Sequence, residues 1–329
     1  MFCKYTFRAW RIHVCKNVFR SGTIPQNTFQ HFSDNYLWFI DLKQNNLIGI
    51  DGKVFPNLSH LNRLDASDIR TAIINYNGLL RLTILNIDHN NLREVPNFCS
   101  ENGSSLAHHL RELHIVNNRV QVLKTNDFQC AVRIRRLCIW KNPLREIQNN
   151  VFAPLNRLSS LTIIPSRHTL KHIQSYAFNA SSLKSLSLSD AHFKFRHQTF
   201  DPDNIFHFCP WLHTLILSYN SVPSDSETAI RMFGPLRRLT KLVLFDVGRY
   251  ALPGDLFHRL VSFRSWNLAI MTYIRCLWIY QPAEPEYEVC WRVSKLHSLS
   301  SRLIFLIISH IHIQMTCLSS LNTSTRMHL

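Results

Sequence analysis

The sequence predicts an α/β solenoid, with a parallel sheet along a concave face and an irregular convex return. Three observations carry this. Apolar residues recur at steps of three, two, three, two and three, with an asparagine fixed in the middle. Copies of this pattern start 21 to 29 residues apart. An aromatic residue lies six positions before most of the starts. Neither the 3.6-residue period of a helix nor the clean alternation of a lone strand fits such counting.

The strand of each coil comes first. Leu37, Ile40, Leu42, Asn45, Leu47 and Ile50 make one copy. Leu82, Leu85, Ile87, Asn90, Leu92 and Val95 make another, and Leu110, Leu113, Ile115, Asn118, Val120 and Leu123 a third. The clearest reads "IRRLCIWKNPLREI", with Ile134, Leu137, Ile139, Asn142, Leu144 and Ile147. Leu212, Leu215, Leu217, Asn220 and Val222 follow. Weaker copies start at Leu61, Leu158, Leu183 and Leu239, with Ile69, Ser166, Ala191 and Val247 in place of the asparagine. In each copy the residues two apart point to one side of a short strand, and that side faces inward. The spacing and the period are those of leucine-rich repeats.

The turn comes next. Backbone groups leaving the strand lose their partners there and must find others. A side-chain amide both donates and accepts, so Asn45, Asn90, Asn118, Asn142 and Asn220 are expected to form an internal ladder. The return closes the coil. Phe55, Tyr76, Phe128, Phe152, Phe206, Phe233 and Phe257 precede the starts by six, predicting an aromatic spine under the convex side.

The array is expected to cover residues 1–272, about ten repeats with the first and last degenerate, and 273–329 to be a non-repeat tail. Residues 303–325 contain no Asp, Glu, Lys or Arg. Their length would permit a membrane span, but His310, His312 and Gln314 near its middle are costly there. No apolar leader opens the chain, because Lys4, Arg8, Arg11 and Lys16 interrupt the first residues.

The returns "VFAPLNRLSSLTII" and "LFHRLVSFRSWNL" resemble those of Toll-like receptor ectodomains, over about residues 10–272. The resemblance implies a cell-surface or endosomal receptor part that recognises microbial or viral molecules and dimerises to start innate immune signalling. The cysteine caps and signalling domain of such receptors are not recognised here, so the chain reads as an internal piece of one. Extracellular adhesion proteins use similar coils, and an intracellular scaffold is a weaker reading.

Catalysis finds no support: there is no GxGxxG, P-loop, HExxH or GxSxG motif. No cofactor is expected. His108-His109 and His310-x-His312 lack partners at metal-ligand spacing. Cys209 takes an inward return position and reads as a buried thiol. Cys138 is expected to face outward, and a Cys99–Cys130 bridge between neighbouring coils is geometrically open. Asn57, Asn102 and Asn179 head glycosylation sequons within the array, and Asn322 heads one in the tail.

The chain carries a formal charge of +16. On the strand positions facing the concave side, Lys43, Arg63, Arg111, Arg135, Arg136, Lys141, Lys184 and Lys241 nearly balance seven acids, Asp41, Asp65, Asp68, Asp88, Glu112, Asp190 and Asp246. A nucleic acid lying on that face is therefore not favoured, while a basic lateral edge is left open. One outward strand position reads Val116, Trp140, Ile164 in consecutive coils, with Arg135, Arg136 and Lys141 near the tryptophan. An aromatic anchor ringed by cations has the composition of a binding hot spot, so these six residues are the candidate ligand-binding site for a protein or microbial ligand.

Overall fold

The computed structural model describes most of residues 37–245, apart from 56–57, 59, 70–72, 76–80, 197 and 224. It also describes residues 11–14, 22–26 and 28–29, and the backbone of three strands beyond residue 266.

Each coil contributes one short strand to a 13-stranded sheet. The middle leucine position of the repeat falls in a single register row. Ile40 pairs with Leu64, Leu64 with Leu85, Leu85 with Leu113, and Leu113 with Leu137. The row continues through Leu161, Leu186, Leu215, Leu242 and Leu268. Those from Ile40 to Leu242 are essentially inaccessible. A one-residue slip would turn each strand's apolar set outward, so burial of this row fixes the register of the stack. Pairing stays parallel as far as Asn267–Met271, whereas Cys276–Tyr280 and Trp291–Arg292 add antiparallel strands.

The turn after most of the described strands has a common device. The residue just before the ladder position takes positive φ: Gln44, Asp68, His89, Asn117, Lys141, Asp190 and Tyr219 lie between 51° and 59°. This left-handed step costs roughly 1–2 kcal/mol for most side chains. It bends the chain sharply enough to carry the next residue inside.

The return side is mostly turns. It holds a three-stranded sheet of Val122–Leu123, Glu146–Ile147 and His172–Ile173, and a pair of Gly49–Asp51 with Ile73–Asn75. Thus the last apolar residue of the repeat, at Ile50, Leu123 and Ile147, belongs to a strand that the apolar count does not reveal. Helix among the described residues is confined to one α-helix, Ser226–Phe233, and a 3-10 turn, Gly52–Val54. Asp225 caps the α-helix by accepting the Thr228 N–H at 2.8 Å.

The aromatic spine forms a stack. Phe128, Phe152 and Phe178 stack in turn at 6.0 Å between ring centroids, and Phe206 follows at 5.8 Å. Phe29 stacks on Phe55 at 5.2 Å nearer the start. Phe178 lies five residues before its repeat start, which hides it from a search at six. Tyr76 and Phe257 lie outside the described residues, as do the tail's apolar run and Asn322. No helix of the described residues is long and apolar enough to cross a membrane.

Candidate binding surfaces

The ladder asparagines are all buried, and Asn90, Asn118, Asn142 and Asn220 bond between coils. Asn118 Nδ2 donates to the Ile87 carbonyl at 2.9 Å, and its Oδ1 accepts the Leu92 N–H at 3.0 Å. Asn142 repeats this one coil on, with the Ile115 carbonyl at 2.6 Å and the Val120 N–H at 3.2 Å. Asn90 joins the Ala66 carbonyl and the Ile69 N–H, and Asn220 the Leu188 carbonyl and the Phe193 N–H. Asn45 donates to the Leu42 carbonyl in its own coil. Each amide thereby satisfies backbone groups that the turn leaves inside.

The middle row of the sheet face is polar and closely packed. Asp65, Asn86, His114, Cys138, Thr162 and Ser187 are in register on successive strands and are all buried. Asp65 accepts from Ser67 Oγ at 2.7 Å and Asn86 Nδ2 at 3.1 Å, and Lys43 Nζ lies 3.0 Å from it. Arg136 pairs with Glu112. Asp88 accepts the Val116 N–H at 2.7 Å, yet burial pushes its pKa up to about 6. Burial also holds the His114 imidazole below its ordinary value, with Asp88 pulling the other way. The balance of charge read from the sequence is thus met here by local pairing. Cys138 takes the outer side of its strand, as expected, but is buried there, because His114 and Thr162 flank it at strand spacing.

The six candidate ligand residues divide. Trp140 pairs in register with Ile164, and the Asn117 N–H bonds the Trp140 carbonyl at 2.6 Å, so Val116, Trp140 and Ile164 do adjoin. They are not a contiguous exposed patch: Val116 is 5% and Ile164 2% exposed, while Trp140 is intermediate. Nor do the arginines ring the tryptophan. Arg136 and Trp140 are the two ends of one five-residue strand, which at about 3.3 Å per residue sets their backbones roughly 13 Å apart. Lys141 alone meets the indole, with Nζ 5.4 Å from the ring centroid. Arg135 is exposed at the strand's leading end.

Cys99 and Cys130 form a disulfide with 5.2 Å between Cα atoms, tying the long loop after Val95 to the next coil. Cys209 is a buried free thiol with its pKa pushed up to about 12 by burial, which leaves it inert. Asn102 is exposed in the disulfide-tied loop, where its Oδ1 accepts from the N–H and hydroxyl of Ser104. Asn179 is half-buried and donates to Asn150 Oδ1 at 2.9 Å. Asn57 lies outside the described residues. A depression of about 260 Å³ lined by Asn149, His172, Gln174, Ser175, Phe200 and Asp201 is below the usual size of a small-molecule site. Among the described residues no group of three or more His, Cys, Asp or Glu could hold a metal ion.

Comparison with known proteins agrees with the coil geometry. The profile of the BspA-type leucine-rich repeat region matches residues 91–207 in six copies. Osteomodulin of Mus musculus is 26% identical over 191 residues, covering 56% of this chain and 41% of that protein. Among solved structures, a chain of the Toll–Spatzle complex from Drosophila superimposes with a TM-score of 0.56 at 20% identity, over 80% of this chain and 35% of that one. A chain of the TLR13–ssRNA13 complex gives 0.49 at 20% identity, over 75% and 41%. The chain therefore spans less than half the length of each of these proteins. One register row of leucines, one asparagine at each strong turn and the profile match over residues 91–207 have a common meaning: the chain folds as a leucine-rich repeat solenoid.

Proposed function

We propose that this chain is the recognition part of an extracellular receptor of the Toll-like kind, binding a protein or microbial ligand with side chains displayed along its coils. The observation that carries the reading is the sheet itself. It offers the same few positions on every coil, so an extended partner meets a row of side chains rather than an enclosed pocket. The Cys99–Cys130 disulfide supports an oxidising, extracellular setting, as does the match to osteomodulin. That match also favours a second reading, a matrix or adhesion protein built on the same coils.

Trp140 is the anchor we assign to the ligand. Val116 and Ile164 brace it from both sides and Lys141 covers part of its ring. A braced indole loses little freedom on binding, which suits a hot spot. The test has two arms. The complete transcript decides between the readings: a downstream span and signalling domain supports the receptor, and their absence supports the matrix protein. Partners captured by cross-linking to the immobilised chain are then measured against Trp140→Ala and, as a control, Arg119→Ala. A loss of about 2 kcal/mol or more for Trp140→Ala alone supports the anchor. Unchanged affinity with the fold intact removes it.

A further inference from the structure

Positive charge among the described coils gathers on one edge of the sheet, and the hydrogen bonds between coils show how. The residue entering each strand is bonded to its counterpart in the coil before. Arg111 N–H donates to the Thr83 carbonyl at 2.8 Å, Arg135 to Arg111 at 2.7 Å, and Ser159 to Arg135 at 2.9 Å. Lys184 then donates to Ser159, His213 to Lys184 and Thr240 to His213, at 2.8 to 3.0 Å. These residues form one unbroken column along the leading edge of the sheet.

A second column runs beside it. The leucine-type residue that starts each repeat donates its N–H to the carbonyl three residues earlier, as Leu110 to Ala107, Ile134 to Ala131 and Leu158 to Leu155, at 3.0 to 3.1 Å. Both ends of that turn are buried, so its two central residues point away from the core. They include Arg133, Arg157 and the pair Arg237–Arg238, all exposed, and Arg81 is likewise exposed at the same sequence position, just before Leu82. From the coil starting at Leu82 to that starting at Leu239, neither turn centre nor first column contains an Asp or Glu. None of Arg81, Arg111, Arg133, Arg135, Arg157 or Lys184 forms an ion pair among the described residues. Burial lowers the pKa of His109, and Arg81, Arg133, His108 and Arg111 lower it further, so cations from three coils converge on one point. The opposite edge is mixed: Asp68 and Asp190 stand there among Gln44, His89 and Lys141. Like charges stacked at strand spacing repel, and no ion pair among the described residues offsets that repulsion here.

We infer that the leading edge is a binding face for a linear polyanion, and specifically for a sulfated glycosaminoglycan. Seven of the eight lysines and arginines in the two columns from Arg81 to Arg238 are arginines, whose planar fork suits oxyanions better than an ammonium does. Single-stranded nucleic acid would call for aromatic platforms along the track. Besides the imidazoles of His108, His109 and His213, Trp211 alone stands in these columns, and Arg238 already covers its face at 3.6 Å from the ring centroid. The choice of a glycan as the polyanion rests on the extracellular reading above; the charged edge itself does not.

The test uses the full chain and three probes of equal length at matched salt: heparin oligosaccharide, the same oligosaccharide desulfated, and single-stranded RNA. Heparin should bind most tightly, with affinity falling steeply as salt rises. The triple variant Arg111→Ser, Arg133→Ser, Arg135→Ser should lose on the order of 100-fold in heparin affinity at low salt. Arg119→Ser, Arg145→Ser, Lys171→Ser removes the same charge from the far side and should lose only a few-fold. Unchanged circular dichroism in both variants excludes misfolding. Equal losses in the two variants would mean net charge rather than an edge, and would overturn the inference. Equal binding of the desulfated chain would overturn it too. Tighter binding of RNA would overturn the glycan assignment while leaving the extracellular reading to the transcript.

Discussion

Asn142 holds two coils at once: its amide reaches the Ile115 carbonyl and the Val120 N–H, and it is fully buried. Asn142→Leu keeps the volume and removes both bonds, leaving buried groups unpaired. Each costs about 1–3 kcal/mol, so urea denaturation should show a loss of roughly 2–5 kcal/mol. A loss below 1 kcal/mol would mean that water replaces the amide. Asp88 offers the opposite test. Its folded pKa is raised to about 6, so the stability it contributes is present below about pH 4 and lost as pH rises through 6. Asp88→Asn keeps an acceptor for the Val116 N–H and removes the charge. The variant should be more stable than the parent at pH 7.5, by up to about 3 kcal/mol, and equal to it near pH 4. His114, whose pKa is lowered, acts in the other sense and is lost as pH falls through its folded value. A parent more stable than Asp88→Asn at pH 7.5 would show that the charge is well paired in the fold.

At the scale of the element, the strands and the spine were legible because their period is a property of the core. An apolar residue that must be inside in every coil leaves its spacing in the sequence. Exposure was not legible. Alternation tells which side of a sheet a residue takes, but Val116, Cys138 and Ile164 take the outer side and are still buried by their register neighbours. The placement of Arg135 and Arg136 around Trp140 failed for a related reason: residues close in sequence are far apart along an extended strand. Phe178 was missed because its return is one residue shorter. The stacked spine makes Phe152 central, with neighbours at 6.0 Å on both sides. Phe152→Ala should cost about 3–5 kcal/mol, read by thermal or denaturant unfolding. A cost no greater than for an exposed residue such as Phe208 would deny the spine its role. Asn102 is the sequon best placed for modification. Secreted from animal cells, the chain should lose one glycan mass on Asn102→Gln; an unmodified Asn102 would count against the extracellular reading.

Over the whole molecule, the repeat separates three kinds of position that the net charge of +16 conceals. The ladder is internal and neutral. The middle of the sheet face is charged but paired, as at Lys43–Asp65 and Arg136–Glu112. The leading edge is cationic and unpaired among the described residues, which the near-neutral count over the concave face did not reveal because it pooled Arg111, Arg135 and Lys184 with the paired groups. Such a column should weaken the fold wherever salt does not screen it, over a distance of about 10 Å at 0.1 M ionic strength. Thermal unfolding across a salt series, with the parent beside Arg111→Ser, Arg133→Ser, Arg135→Ser, measures this directly. At about 0.01 M salt the variant should melt a few degrees above the parent, each relieved contact being worth roughly 0.2–1 kcal/mol, and the gap should close by about 0.5 M as screening becomes complete. A variant that melts below the parent at low salt, or a gap that salt leaves unchanged, would show that these arginines are paired after all.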